Sequence, residues 1–247
     1  MVEQKKRSTS KSKRRAPKSK ARKRGFFARL RLWLIRLAIG IPALLLFWIV
    51  SFTVIDPPLT PYMFAERQRL GTLLYDWVDM DDVDPAMARS VVAAEDANFC
   101  LHWGFDMAAI RLALEEGANR GASTISQQTV KNVFLWHGRS WSRKALEAAM
   151  TPAVELFWSK RRIVEVYINV AEFDRGVFGV AAASRHYFGV EPGALTARQA
   201  ALLASVLPAP KQRSASRPSN FVNKRATAIT DGAATIRADG RAACFQD

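Results

Sequence analysis

The sequence predicts a mainly α protein, with one apolar helix near the N-terminus that can cross a membrane and a helical domain after it. Three observations predict this. Leu37 to Ile55 holds no charged residue, and these nineteen residues would rise about 28 Å as a helix, close to the hydrocarbon thickness of a bilayer. From Asp84 to Pro208 apolar residues recur at helical spacing almost throughout. No long run of alternating apolar and polar residues argues for a large sheet, and there is no internal repeat.

The elements follow in chain order. Residues 1–36 carry fifteen Lys or Arg against the single Glu3, a charge of +14, while the other 211 residues carry 22 basic and 21 acidic side chains, a charge of +1. The net charge of +15 therefore belongs to a tail. A nearly neutral body gives no footprint for nucleic acid. Residues 1–25 are Lys-, Arg- and Ser-rich and expected to be unstructured. Residues 26–36 form an amphipathic lead-in, and residues 37–55 are the expected transmembrane helix. The basic flank places the N-terminus in the cytoplasm and the rest of the chain outside it. A cleaved signal peptide is the competing reading. The stretch is long for one, and Ile55-Asp56-Pro57-Pro58 offers no small-residue cleavage pattern. Residues 56–83 read as a linker that begins at Pro57-Pro58.

Helices are expected over residues 85–96, 106–117, 124–135, 141–158, 160–170, 178–188 and 196–207. Thr196 and Gln199 make a capping box at the start of the last one. Gly117 to Gly121 is a mobile-loop candidate. After Pro210 the chain is polar and Arg-rich with little periodicity, so residues 211–247 read as an extension.

Chemistry-bearing residues cluster in three segments. Val91 to Asp106 reads V-V-A-A-E-D-A-N-F-C-L-H-W-G-F-D. Glu95 stands at the polar end of an apolar helix, where burial raises a carboxyl pKa toward that of a general base. A Glu-Asp pair ordinarily lies solvated at a helix end; the fixed Phe99, His102, Gly104 and Asp106 that follow set this one apart. Gly121 to Asn132 reads G-A-S-T-I-S-Q-Q-T-V-K-N. Thr124, Gln128 and Lys131 fall on one helical face, with Ser123 as the candidate cap whose helix would leave N–H groups for an anion. Gln127 and Asn132 belong to the same run. Arg143, Lys144 and Glu147 open the third segment, which continues through Ser159-Lys160 to Tyr167 and Asn169. In isolation Glu147 is an i,i+4 partner of Arg143. Pro152, one turn later, is expected to kink this helix.

In order and spacing, these segments resemble the signature motifs of the peptidoglycan glycosyltransferases, glycosyltransferase family 51. The run Gly176 to Gly189 and the stretch Leu195 to Pro210 are similar to the family's closing elements. The resemblance spans residues 84–210, the expected glycosyltransferase domain. It implies a mainly α, lysozyme-like fold with a membrane-associated subdomain near the anchor. It also implies polymerisation of lipid II into β-1,4 glycan, with inversion and release of undecaprenyl diphosphate.

On that reading Glu95 is the general base. Lys131, Arg143 and Lys144 stabilise the pyrophosphate. Glu147 orients those cations or helps hold Mg²⁺ or Mn²⁺; no cofactor is obligatory. Asp96, Phe99, His102, Thr124, Gln127, Gln128 and Asn132 shape the substrate subsites. The expected partners are lipid II, the growing glycan strand, the bacterial inner membrane and other cell-wall synthesis proteins, with no nucleic acid. The stretch beyond Pro210 is too short for a transpeptidase domain and has no K-T-G element, so a monofunctional enzyme is expected.

Two alternatives stay open: a glycan-cleaving enzyme, since paired carboxylates also hydrolyse glycosides, and a non-catalytic cell-wall scaffold. The two cysteines, Cys100 and Cys244, both fall beyond the anchor, where disulfides persist. A Cys100–Cys244 bridge is expected, two independent thiols being the alternative. No Cys/His pattern suggests zinc.

Overall fold

A computed structural model describes residues 20–116, 121–138 and 140–246, with side chains from Phe26 onward. The tail up to residue 19 and most of the expected loop at Gly117–Gly121 lie outside the described residues. The chain divides into two compact units, Met1–Phe47 and Trp48–Asp247.

The first unit holds most of α1 (Lys20–Ser51). The apolar stretch of α1 is Phe26–Ser51, about 39 Å of helix, and most of its large apolar side chains are exposed, Ile49 being buried. By length and composition this helix suffices to cross a membrane. The expected span of 37–55 is thus displaced. The lead-in of 26–36 is continuous with the apolar helix, Lys20–Gly25 are helical rather than unstructured, and regular helix stops at Ser51. The residue before a proline is pushed out of the α region, so Asp56-Pro57-Pro58 prevents the helix from resuming.

The second unit is mainly α. The expected linker contains a helix, α2 (Pro61–Leu70). Thr60 caps it by accepting from Met63 N, and Pro61 occupies its first turn, where no N–H is needed. The seven expected helices are all present, as α3 (Pro85–Glu95), α4 (Met107–Glu115), α5 (Ile125–Phe134), α6 (Trp141–Phe157), α7 (Lys160–Val170), α8 (Val180–Phe188) and α9 (Ala197–Val206). The capping box of α9 forms as expected. Helix α6 runs on through Pro152.

Three short strands, β1 (Leu74–Tyr75), β2 (Glu172–Asp174) and β3 (Val177–Phe178), form one small sheet in the order β1-β3-β2. Strand β3 is parallel to β1 and antiparallel to β2. Gly179 leaves β3 at φ 81°, and a Cβ there would lie 2.8 Å from the Asn169 carbonyl oxygen, so only glycine fits.

Helix α7 is deeply set. Ile163, Val164, Val166, Tyr167, Ile168, Asn169 and Val170 are all buried, and α7 packs on α5. The chain segment after α1 is fastened to the same region. Trp158 Nε1 donates to Ile49 O at 2.7 Å, and Arg162 donates to the carbonyls of Phe52 and Ile55 and pairs with Asp56.

The stretch after Pro210 corrects the sequence reading most. Residues 211–247 are part of the domain. They form α10 (Asn220–Ala238) and α11 (Ala243–Gln246), and α10 packs against both α3 and α9. Small and branched apolar residues share this contact: Val222, Ala226, Ile229, Ala233 and Ile236 of α10 and Ala200, Ala201 and Ala204 of α9 are buried, and Gly232 lies against Ala93. The buried α10 residues recur at helical spacing, a signal that the polar, Arg-rich composition of the stretch masks.

Cys100 and Cys244 are disulfide-bonded, with Cα atoms 5.7 Å apart and a sequence separation of 144. A loop of that length implies stabilisation of about 5 kcal/mol by loop-closure entropy. Unreduced protein treated with an alkylating reagent should show no labelled thiol by mass spectrometry. Cys244→Ser should lower the melting temperature and expose α10 amides to faster hydrogen exchange; an unchanged melt would deny the bridge a structural role.

Candidate active site

Glu95 is the last residue of α3, and Asp96 follows as its C-cap. The carboxylate of Asp96 ties the first motif to the second. Its Oδ2 accepts from Ile125 N, at the start of α5, at 2.9 Å, and its Oδ1 lies 2.8 Å from His102 Nε2. A carboxylate on a helix N-terminus is doubly favoured, by free N–H groups and by the helix dipole. Thr124 rather than Ser123 caps α5, forming a capping box with Gln127. The Thr124 hydroxyl also donates to Gly104 O at 2.7 Å. Gly104 sits at φ 84°, and a Cβ there would meet Thr151 Cγ2 at 2.7 Å, so this motif glycine allows close packing against α6. Lys160 donates to His102 O and to Glu155, with its ammonium 4.3 Å from the centre of the Phe99 ring.

These contacts sort the expected site residues. Asp96, Phe99, Thr124 and Gln127 are buried, His102 is committed to Asp96, and together they brace the site from behind. Thr124 therefore does not share a ligand-facing stripe with Gln128 and Lys131. Those two, with Asn132, line a cleft of about 410 Å³, as do Tyr62, His137, Tyr167 and Lys211. Glu95 is joined to this cleft through Gln128, whose Nε2 donates to Glu95 Oε2 at 3.0 Å while its Oε1 accepts from Tyr167.

The Glu95 side chain is 12% exposed. Its Oε1 is buried without a hydrogen bond, although Arg225 Nη2 lies 3.5 Å away. Burial raises the Glu95 pKa above the usual glutamate value, opposed by the Gln128 hydrogen bond and by the charges of Arg225, Lys131 and Arg213. Burial also lowers the pKa of Lys131, while Glu147 and Glu95 oppose this and Arg143 and Lys144 add to it. A carboxylate with one uncommitted oxygen thus shares a field with a half-buried lysine.

Glu147 is 2% exposed. Both of its oxygens are taken, one by Arg143 Nη1 at 2.6 Å and the other by Lys144 Nζ. Lys144 also reaches Ser123 Oγ at 3.2 Å. Glu147 therefore orients the cation pair. It does not fit the expected role as a ligand for Mg²⁺ or Mn²⁺, because a dication there would face Arg143, Lys144 and Lys131. Among the described residues no group of three or more His, Cys, Asp or Glu could hold a metal ion.

Several site residues were missed from the sequence. Arg213 and Arg225 come from the stretch read as an extension, where arginine enrichment was the available signal. Tyr62, from the stretch read as a linker, donates to Glu172 at 2.5 Å and stacks on His137 with ring centres 3.4 Å apart. Lys211 pairs with Glu66 and Glu172. His137 is pushed down to about 4 by burial and by the nearby cations Lys131, Lys211 and Arg143, so it stays neutral at neutral pH.

Comparisons with known proteins show the family. The family model described as Transglycosylase matches residues 66–234, a span that includes most of α10. A protein named biosynthetic peptidoglycan transglycosylase from Jannaschia sp. (strain CCS1) is 61% identical over 236 residues, covering 96% of this chain and 99% of its own. Proteins of the same name from Yersinia pestis (strain Pestoides F) and Cronobacter sakazakii (strain ATCC BAA-894) are each 48% identical, covering 81% of this chain and 88% and 87% of theirs. The chain belongs to the transglycosylase family, and it is a peptidoglycan transglycosylase of cell-wall synthesis.

Proposed function

We propose that the chain polymerises lipid II into β-1,4-linked glycan by an inverting displacement, with Glu95 as general base. Glu95 takes the proton from the 4-hydroxyl of the acceptor sugar as that oxygen attacks C1 of the donor. The bond from C1 to the pyrophosphate oxygen breaks, and undecaprenyl diphosphate leaves with the electron pair. The α-linked donor becomes a β-linked product. The observation that carries this reading is the buried Glu95 carboxyl, with one oxygen held by Gln128 and the other free of hydrogen bonds. Burial makes it a better proton acceptor than a solvated glutamate.

Lys131, Arg143 and Lys144 supply positive charge for the leaving pyrophosphate, and a partly desolvated cation stabilises such charge more than one in water. Glu147 keeps Arg143 and Lys144 from dispersing into solvent. Hydrolysis of a finished glycan has no use for such a cluster, which favours synthesis over cleavage. The apolar α1 supports a single-pass anchor in the inner membrane, with the catalytic domain on the periplasmic side. Trp136, Trp141, Leu156 and Phe157 are exposed apolar side chains of the second unit, suited to contact with the interface that holds a lipid-linked substrate.

Glu95→Gln should reduce lipid II polymerisation by about 10²-fold or more. The same change should raise thermal stability at neutral pH. A carboxyl whose folded pKa lies above its unfolded value favours folding least once it is ionised: stability is greatest below the unfolded pKa and falls as pH rises through the folded one. An active and no more stable variant would remove Glu95 from the role.

The acid limb of the pH–rate profile should lie above the usual glutamate value. Arg225→Ala should move it to higher pH, because a charge that favours the carboxylate is removed. A shift in the opposite direction would contradict the geometry.

Lys131→Ala should cut polymerisation by about 10²-fold with little change in circular dichroism, and Lys131→Arg should restore part of the loss. A Lys131→Ala protein that fails to fold, or that polymerises normally, would refute the electrostatic role.

A further inference from the structure

A second groove, of about 370 Å³, opens where α3, α9 and α10 meet. Its lining is mostly methyl groups, among them Ala86, Ala197 and Ala233, with four residues of another kind: Arg89 and Ser90 on α3 and Thr230 and Arg237 on α10. None of these takes part in the proposed chemistry.

Two independent features make this a built site. The first is Ser90, which is 1% exposed and whose hydroxyl has no hydrogen-bond partner. A buried serine or threonine in a helix usually turns its hydroxyl back on a carbonyl of the preceding turn. Thr129, Ser184, Ser205 and Thr230 all do so here. Ser90 does not, and it lines the groove.

The second feature is that two arginines, Arg89 on α3 and Arg237 on α10, line the one groove. Among the described residues Asp84 is the one carboxylate whose charge acts on Arg89, and Asp84 is already engaged in capping α3. Arg89 donates one N–H to Gln246 Oε1 at 2.9 Å, which fixes its stem. Two arginines lining one groove without an acid between them are stabilised by a bound anion, and a planar fork matches carboxylate geometry.

We propose that this groove binds a carboxylate, and that its ligand is a short peptide ending in a small apolar residue with a free carboxyl group. The carboxylate bridges Arg89 and Arg237, Ser90 hydrogen-bonds the adjacent peptide group, and a methyl side chain lies on the alanine floor. The floor offers no aromatic ring for a nucleobase to stack on. The peptide substituents of peptidoglycan are a source of such groups; that assignment of source, and nothing else in the proposal, rests on the proposed function.

Isothermal titration of the full chain in detergent micelles tests it, with N-acetyl-D-alanyl-D-alanine as probe, its C-terminal amide as control and inorganic phosphate as the bare anion. The acid should bind at least about tenfold more tightly than the amide or phosphate, since a charge-assisted pair is lost in the first and the methyl contacts in the second. Arg237→Ala should weaken the acid by about tenfold or more, and Arg237→Lys should recover part of it. Both variants should keep the lipid II polymerisation rate of the parent. Equal binding of acid and amide, no binding of the acid, or an Arg237→Ala affinity equal to that of the parent would overturn the proposal. Phosphate binding as tightly as the peptide would overturn its peptide part. A failure here leaves polymerisation untouched, and a chain that binds the peptide yet makes no polymer would count against the proposed function alone.

Discussion

The carboxylate of Asp96 is the tie on which the arrangement of the site depends. It holds the first backbone N–H of α5 with one oxygen and His102 with the other. Through this one group the end of α3, which carries Glu95, is registered against the start of α5, which carries Gln128 and Lys131. Both helices end there with unsatisfied backbone groups, so the tie also answers a local need. The Thr124–Gly104 hydrogen bond repeats the connection one step further along the loop. A solvent-exposed carboxylate in this place would have little hold; Asp96 is 7% exposed, and a buried charge-assisted hydrogen bond is strong and directional. Placing Asp96 directly after Glu95 then follows from chain geometry. One residue fixes the helix end, and its neighbour meets Gln128 of the cleft wall.

That placement leaves Glu95 under two opposing influences. Burial raises its pKa, while Gln128, Arg225, Lys131 and Arg213 lower it. A fully desolvated glutamate would be protonated at neutral pH and useless as a base, and a fully paired one would be too weak a base to pull a proton from a sugar hydroxyl. The intermediate arrangement has Arg225 3.5 Å away, outside hydrogen-bonding contact with the carboxylate, and a single amide donor from Gln128. Lys131 is subject to the converse pair of effects. Each group moderates the cost of burying the other, so the proposed base and the proposed leaving-group stabiliser have to be placed together.

The sequence made some of this legible and hid the rest for physical reasons. The seven helices between residues 85 and 207 showed because each buries a stripe of larger apolar residues against its neighbours, as α7 does with Ile163, Val164, Val166 and Tyr167. Glu95, Gln128, Lys131, Arg143, Lys144 and Glu147 showed because their spacing survives as motif. What did not show was which motif residues face a ligand. Asp96, Phe99, Thr124 and Gln127 recur with the others for a structural reason, and spacing alone does not separate a brace from a contact. Helix α10 escaped because its buried stripe of Val222, Ala226, Ile229, Ala233 and Ile236 is narrow and lies in a polar, Arg-rich stretch. Tyr62 and Lys211 escaped because they reach the cleft from segments distant in sequence from the motif residues Gln128 and Tyr167 that they join there.

The missed C-terminal stretch has a definite logic. Five of its anchors are the Cys100–Cys244 bond, the Arg241 hydrogen bond to Ala97 O at 3.0 Å, the Arg225 contact with Ala94 O, and the Gln246 hydrogen bonds to Arg89 and Pro85 O. These end between Pro85 and Cys100, the segment that presents Glu95, while Lys211, Arg213 and Asn223 tie the stretch to β2, α2 and α9. Helix α10 therefore acts on the proposed base in two ways, by holding α3 in place and by supplying the Arg225 charge. A long, flexible arginine delivers a steady field only if its backbone is fixed, since Coulomb energy falls with distance and is screened once water enters. The disulfide and the flanking hydrogen bonds fix that backbone at the far end of α10, and the apolar contact with α3 and α9 fixes it along its length. Stability of the tail and the basicity of Glu95 are in this way one property of the fold.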